Sequence, residues 1–272
     1  MDNDLKLVQV PGWERFGWLR HGFSTRAGGV STTYGDAGAL NLGWTKEDDP
    51  AAVAQNRQRL VKAVGGGSLV TIRQVHGAVT QPVREHDGAF DGRLQTAEGK
   101  AILQGDGLMT NVAGVLLGIQ TADCVPVLVV DVRQHVAAAF HAGWRGTVAR
   151  VVQHGIAAMR TEYNSSPEDL VAAIGPSIGA CCYAVGDEVR HAFESEFAHG
   201  GELLGMVNGE IRLDLWEANR RQLIEAGVQT EKISVMRECS GCALDDAGRR
   251  RYFSHRVDKG VTGRMLSVVG VV

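Results

Sequence analysis

The stretch VAGVLLGIQTADCVPVLVVDVRQHVAAAFHAGWRGT, residues 112–147, decides the fold. Within it Val112 to Ile119, Val125 to Val130 and Val136 to Phe140 are short, largely apolar runs bounded by Asn, Asp, Gln or His. That is the pattern of strands buried on both faces. Cys124 and His141 sit at the ends of two of these runs. From Thr147 the pattern changes: Val148, Val151, Val152, Ile156 and Met159 repeat at the spacing of one helical face.

Upstream, Asp49-Pro50 supplies an N-cap and a proline for the first helical position. Val53, Leu60, Val61 and Val64 then give an apolar face until Gly65-Gly66-Gly67 stops it, which predicts a helix from about 50 to 64. Leu69 to Val75 favours a strand that delivers His76 at its end, before Gly77. Residues 84–106 carry eight charged side chains and four glycines with little periodicity and read as a surface excursion. Downstream, Leu170 to Ile174 is a further buried strand closed by Gly175-Pro176. Helices are expected at about 187–197 and 214–226, the second with Asp214 as N-cap, Glu217 three residues on and Gly227 past its end. Ile233 to Met236 and Met265 to Val271 complete the strands. No interior linker, low-complexity tract or internal repeat divides the chain, so one mixed α and β domain is expected over residues 1–272.

Whole-chain properties exclude several classes. A chain of 272 residues, 44% hydrophobic and 22% charged, is an ordinary globular one. It can bury roughly three-quarters of its unfolded surface. A net charge of -3 offers no basic field for a polyanion, so nucleic acid is not an expected partner. The run Arg249-Arg250-Arg251 follows Asp245-Asp246 and reads as a solvated loop. Asp2, Asp4, Lys6 and Glu14 interrupt the first twenty residues, and no apolar run approaches the length of a membrane span. Five cysteines, an odd number, suit a reducing cytoplasm better than a disulfide framework.

Three segments carry chemistry: Arg73-Gln74-Val75-His76, Thr121-Ala122-Asp123-Cys124 and Phe140-His141-Ala142-Gly143-Trp144-Arg145. A His, Cys, His donor set leaves the fourth corner of a Zn2+ tetrahedron open, the arrangement of a catalytic rather than a structural ion. The spacing of the three residues has no specificity of its own, and each alone reads as easily as core. Their company argues for a site. Asp123 beside Cys124 is a candidate acid/base if the chain turns there. Gly143-Trp144-Arg145-Gly146-Thr147 leads from a strand into a helix and offers backbone N–H groups and a guanidinium to an anion. Ser24-Thr25-Arg26-Ala27-Gly28-Gly29-Val30-Ser31 offers a second arginine beside glycines, or simply a turn. The remaining cysteines say less. Cys239-Ser240-Gly241-Cys242 is a lone C-x-x-C, and the adjacent Cys181-Cys182 are poorly suited to sharing one metal, so a second zinc site is not expected.

The run His21 to Ser31, then Leu40-Asn41-Leu42, Asn56-Arg57, Gln74-Val75-His76-Gly77, Thr121 to Leu128, His141 to Gly146 and Gly175 to Gly179 resemble the bacterial laccase-domain family, also called the polyphenol oxidase or peptidoglycan-editing factor family. The tail segments Phe253-Ser254-His255-Arg256 and Thr262-Gly263-Arg264-Met265 are similar to that family's ending, except that His255 stands where many members have tyrosine. The resemblance implies a single α+β domain with mixed β-sheets sandwiched between helices, in four α-β-β-α layers. It also implies a cytoplasmic zinc enzyme that phosphorolyses adenosine, inosine and S-methyl-5'-thioadenosine and deaminates adenosine. Copper-dependent phenol oxidation has been attributed to the family as well. The metal ligands carry over to His76, Cys124 and His141. Cys124, Asp123 and His141 are the candidate catalytic residues, and Arg26, Asn41, Arg73 and Arg145 the candidate substrate-binding ones.

Other readings compete. The usual zinc deaminase signature, H-x-E followed by P-C-x-x-C, is absent, so any deamination uses a different scaffold. A Cys-His amide hydrolase editing peptidoglycan precursors would use Cys124 as nucleophile and His141 as base. A copper oxidase has three suitable ligands but few clustered histidines among the nine present. A binding module with a structural zinc is disfavoured by the open coordination position.

Overall fold

Successive side chains on a strand point to opposite faces, and the two faces of the central strands are buried against different partners. The computed structural model describes residues 5, 7–35 and 38–272. A five-stranded sheet runs in the order Leu7–Val8, Leu19–Ser24, Met265–Val271, Val115–Thr121 and Ser68–Thr71. A six-stranded sheet runs Ile233–Val235, Leu170–Ile174, Val125–Asp131, Val136–Ala142, Gly107–Thr110 and Thr80–Pro82. Both are mixed: one edge pairing of the first and both edge pairings of the second are parallel, the rest antiparallel. A three-stranded sheet, ordered Ala184–Val185, Glu210–Leu213 and Leu204–Val207, lies apart from these two in pairing.

The two large sheets share one core, in which Leu117, Ile119 and Val269 of the first meet Leu128, Val130, Ala137 and Ala139 of the second. The outer face of the first sheet, with Leu116, Leu266 and Val268, is covered by Leu60 and Val64 from α1 (Pro50–Ala63) and its C-cap. The outer face of the second, with Val127, Val129, Ala138 and Phe140, packs on Val152, Ile156 and Met159 of α3 (Val151–Tyr163), which follows the short α2 (Trp144–Val148). Phe193 of α4 (Asp187–Glu196) and Leu215, Ala218 and Leu223 of α5 (Leu215–Glu225) belong to the same cluster. Helix, sheet, sheet, helix is the four-layer α+β arrangement expected.

The strands at 170–174 and 265–271 fall where the sequence puts them. Capping sets α1 and α5: the Asp49 carboxylate accepts the Ala51 N–H and that of Asp214 accepts the Glu217 N–H. Elsewhere the boundaries move, and three shifts bear on the site. The strand before His76 ends at Thr71, leaving His76 in a loop rather than at a strand end. The run from Val136 continues to Ala142, so His141 lies inside the strand, opposite Pro126. The helix expected from Thr147 is two, broken at Arg150, whose φ of 57° is left-handed. Leu19–Ser24, Ala27–Ser31 and Gly107–Thr110 are strands that the apolar pattern did not reveal.

Candidate metal centre and active-site cavity

His141 shares a face of its strand with Ala137 and Ala139 and so points between the two sheets. Cys124 immediately precedes the strand that pairs with it, and His76 reaches the same point from the loop after Thr71. The donor atoms of His76, Cys124 and His141 all lie within 4.8 Å of one another. The two imidazole rings are 5.0 Å apart, edge to face. Gly143 forms a cradle beside them. A Cβ at that position would sit 2.8 Å from Cys124 Sγ and 3.3 Å from His76 Cδ2, so any side chain there would displace the donors.

A carboxylate that motif reading missed organises this cluster. Asp106, fully buried, bonds His141 Nδ1 through Oδ1 at 2.8 Å. Its oxygens also accept the backbone N–H groups of Val75 (3.2 Å), His76 (2.9 Å) and Gly77 (2.7 Å). Those bonds hold His76 at a φ of 59°, a left-handed conformation costly for any residue but glycine. Gln74 adds a second tether: its side chain donates to Gln120 O and accepts from Gln120 N, both at 2.8 Å. The sequence signal was a single acid between two glycines, Gly105-Asp106-Gly107, at the start of an unrecognised strand.

Burial opposes charge on the Asp106 carboxyl, yet the bonds from His141 and the backbone N–H of Gly77 hold it below the usual carboxylate range. Burial would likewise raise the Cys124 thiol, but the facing charge of His141 and bonds from both histidines bring it down to about 6. His141 moves the other way. Burial disfavours its charge, while the Cys124 thiolate and Asp106 raise it to about 9. Each of the two groups thus favours the charged form of the other.

Asp123 adjoins this centre with a φ of 92°. Its carboxylate accepts from Ser240 Oγ (2.7 Å), Ser254 Oγ (2.6 Å) and the Arg256 N–H (2.6 Å). Both oxygens are thus engaged in tethering the C-terminal segments to the Cys124 turn, while Asp123 also lines the cavity into which the centre opens.

The centre opens into a cavity of about 600 Å³. Arg73 lines it, as do four cationic or titratable residues not singled out as substrate contacts: Lys100, His255, Arg256 and Arg264. Trp44 and Tyr183 contribute aromatic walls. Three of the four expected substrate residues lie elsewhere. Arg26 is buried over the Phe253 ring and donates to Tyr34 O. Asn41 is fully buried and donates to Gly43 O and Asp48 Oδ2 while accepting the Arg264 N–H, so it shapes the cavity wall from behind. Arg145 projects outward, over Trp144 and 4.0 Å from Glu188.

The family model for multi-copper polyphenol oxidoreductase laccase matches residues 20–272. A purine nucleoside phosphorylase YlmD from Geobacillus stearothermophilus is 38% identical over 269 residues, covering 94% of this chain and 95% of its own length. An adenosine deaminase, RL5, from an unknown prokaryotic organism is 35% identical over 225 residues, covering 81% and 84%. Among solved structures, YfiH of Bacillus licheniformis superposes with a TM-score of 0.86 at 30% identity, covering 100% of this chain and 98% of that one. YlmD of Geobacillus stearothermophilus gives 0.81 at 35% identity, covering 98% and 99%. The chain belongs to the multi-copper polyphenol oxidoreductase laccase family, whose relatives named here include enzymes of purine nucleosides. Among the described residues no helix is long and apolar enough to cross a membrane.

Proposed function

We propose that this is a cytoplasmic, zinc-dependent purine nucleoside phosphorylase acting on adenosine, inosine and S-methyl-5'-thioadenosine, with adenosine deaminase activity at the same site. The observation that carries this reading is the convergence of His76, Cys124 and His141 on a cavity that also holds cationic side chains and aromatic walls. The donor set fits Zn2+: one thiolate and two imidazoles suit a borderline ion, and the side-chain-free Gly143 leaves the donors room to close on it. Bound there, Zn2+ supplies a Lewis acid in a low-dielectric pocket.

The rest of the chemistry falls to the chain. Asp106 fixes the Nδ1–H tautomer of His141 and leaves Nε2 for the ion. Arg73, Arg256 and Arg264 present guanidinium groups suited to a phosphate dianion. Arg256 is aimed by its bond to Ala184 O (2.6 Å) and Arg264 by bonds to Thr262 O (2.9 Å) and Gly263 O (3.0 Å). Trp44 and Tyr183 give flat apolar surface of the kind that holds a purine ring and excludes water. Phosphorolysis then requires phosphate to approach the sugar carbon as the base departs, and positioning the two supplies much of the rate.

The apposition of Cys124 and His141 also suits a second reading, a Cys-His amide hydrolase with Cys124 as nucleophile. A thiolate committed to zinc is a poor nucleophile, so metal dependence separates the two. Chelation is expected to abolish phosphate-dependent release of adenine or hypoxanthine, and added Zn2+ to restore it. Full phosphorolysis by a verified metal-free sample would overturn the proposal, while restoration by copper alone would favour an oxidase centre.

A further inference from the structure

Four of the five cysteines lie in two turns next to the cavity wall, Cys181-Cys182 before the strand at 184–185 and Cys239 to Cys242 in the turn after Glu238. Read along the chain, an adjacent pair and a lone C-x-x-C argue against a shared ion. The fold corrects that reading. The four Sγ atoms lie within 4.8 Å of one another, and those of Cys181 and Cys242 are 3.6 Å apart. A tetrahedral Zn2+ with bonds of about 2.3 Å requires sulfurs about 3.8 Å apart, whereas a disulfide requires about 2.0 Å.

The backbone builds this cluster independently of any ion. Ser177 and Cys239 form a parallel bridge, with Ser177 N bonded to Glu238 O (3.1 Å) and Ser240 N to Ser177 O (3.0 Å). Cys182 N closes a turn onto Gly179 O (2.9 Å), and Ala243 N closes another onto Cys239 O (2.9 Å). Gly179 N donates to Cys239 Sγ at 3.3 Å, an N–H bond to sulfur of the kind that stabilises a coordinated thiolate. Gly241 makes the approach of the turns possible, because a Cβ there would lie 3.0 Å from Cys182 Cβ and 3.2 Å from its Sγ.

We propose that Cys181, Cys182, Cys239 and Cys242 form a second metal site that binds one Zn2+ as a closed tetrathiolate. Binding exchanges four thiol protons for four Zn–S bonds, and no position is left for substrate. The role that follows is structural. Ser240, between two of the ligands, donates to Asp123, which precedes Cys124, and Tyr183, next to Cys182, lines the active-site cavity. The ion would therefore brace one wall of that cavity from outside.

Zinc content and zinc X-ray absorption test this on the full chain purified without added metal under reducing conditions. Cys181→Ser/Cys242→Ser is expected to lose one zinc per chain relative to wild type, whatever occupies the His–Cys–His site. His76→Ala is expected to retain one zinc with an all-sulfur coordination shell, a readout that stands even if the double variant fails to fold. The proposal is overturned if wild type holds a single zinc that His76→Ala abolishes. It is equally overturned if the double variant keeps the full complement, or if the intact mass of the native protein shows these cysteines joined as disulfides.

Discussion

Replacing Asp106 by asparagine tests whether a carboxylate that touches no substrate sets the metal centre. Asp106 is 0% exposed and accepts four hydrogen bonds, with His76 and His141 on Oδ1 and Val75 and Gly77 on Oδ2. Asparagine is nearly isosteric but offers one acceptor and one donor. With its oxygen toward His76 and His141, its NH2 faces the N–H groups of Val75 and Gly77, donor against donor. Two bonds to a charged acceptor are lost, each worth about 1.5–3 kcal/mol, so a loss of roughly 3–6 kcal/mol is expected. For a chain of this size that corresponds to a Tm lower by about 10 °C, a loss that a fold of ordinary stability, about 5–15 kcal/mol, can survive. His141 keeps an acceptor but loses its negative charge, and the loop carrying His76 loses two tethers; altering the partner of a metal-bound histidine in this way lowers metal affinity by about 10–100-fold. Competition of Zn2+ between protein and a chelator measures the affinity, and thermal denaturation of metal-free and metal-loaded samples measures the stability. A variant less stable by the expected amount but with zinc affinity within about twofold of wild type would refute the reasoning, leaving Asp106 a brace for the loop alone.

Arg256→Ala and Arg264→Ala are each expected to raise the phosphate KM by about 10-fold or more, the loss of one charge-assisted contact, while Arg145→Ala, whose side chain is exposed beside Glu188, leaves it within about twofold; steady-state phosphorolysis at varied phosphate distinguishes them. His21 accepts the Val10 N–H at 3.1 Å through Nε2 and is buried, which lowers its pKa to about 4 from 6.5 despite the opposing charge of Glu14. Between those values the unfolded chain takes up the proton and the folded one does not, so His21 contributes stability present above pH 6.5 and lost as pH falls toward 4, at most about 3 kcal/mol. Chemical denaturation at pH 7 and pH 4.5 is expected to show a steeper loss for wild type than for His21→Gln, and equal losses would count against the assignment.

The local parts of this fold were legible, and the assembled ones were not. Strands at 170–174 and 265–271 could be read because continuous apolar runs end abruptly at Gly, Pro or charge, and both helices with an aspartate N-cap could be read from the cap. His76, Cys124 and His141 stood out as chemistry in specific motifs. Asp106 did not, because its importance lies in accepting N–H groups about thirty residues upstream, a relation the chain order hides. Asn41 illustrates the converse. A residue in a family motif looks the same in the sequence whether it touches substrate or, as here, holds the Arg264 N–H from behind. The break at Arg150 carries no Gly or Pro to announce it. Cys181-Cys182 and Cys239 to Cys242 read as two unrelated features until the bridge between Ser177 and Cys239 joins them.

The two residues that flank the metal centre in left-handed backbone, His76 and Asp123, suggest why its supporting bonds are so numerous. Each conformation costs about 1–2 kcal/mol for a residue with a Cβ, and each is restrained by a carboxylate. Asp106 restrains the first by taking three consecutive N–H groups, and Asp123 restrains its own turn by gripping Ser240, Ser254 and the Arg256 N–H. The strain is therefore met within the protein rather than by an ion. A site built this way is preorganised: the donors stand near their bonding positions before the metal arrives, and less of the binding free energy is spent on ordering loops. The same reasoning locates the cost of disturbance. Substitutions at Asp106 or Asp123 release a strained backbone turn as well as a hydrogen bond, so their effects on metal affinity should exceed those of removing an equally buried polar group, such as Asn219, whose helix has ordinary geometry.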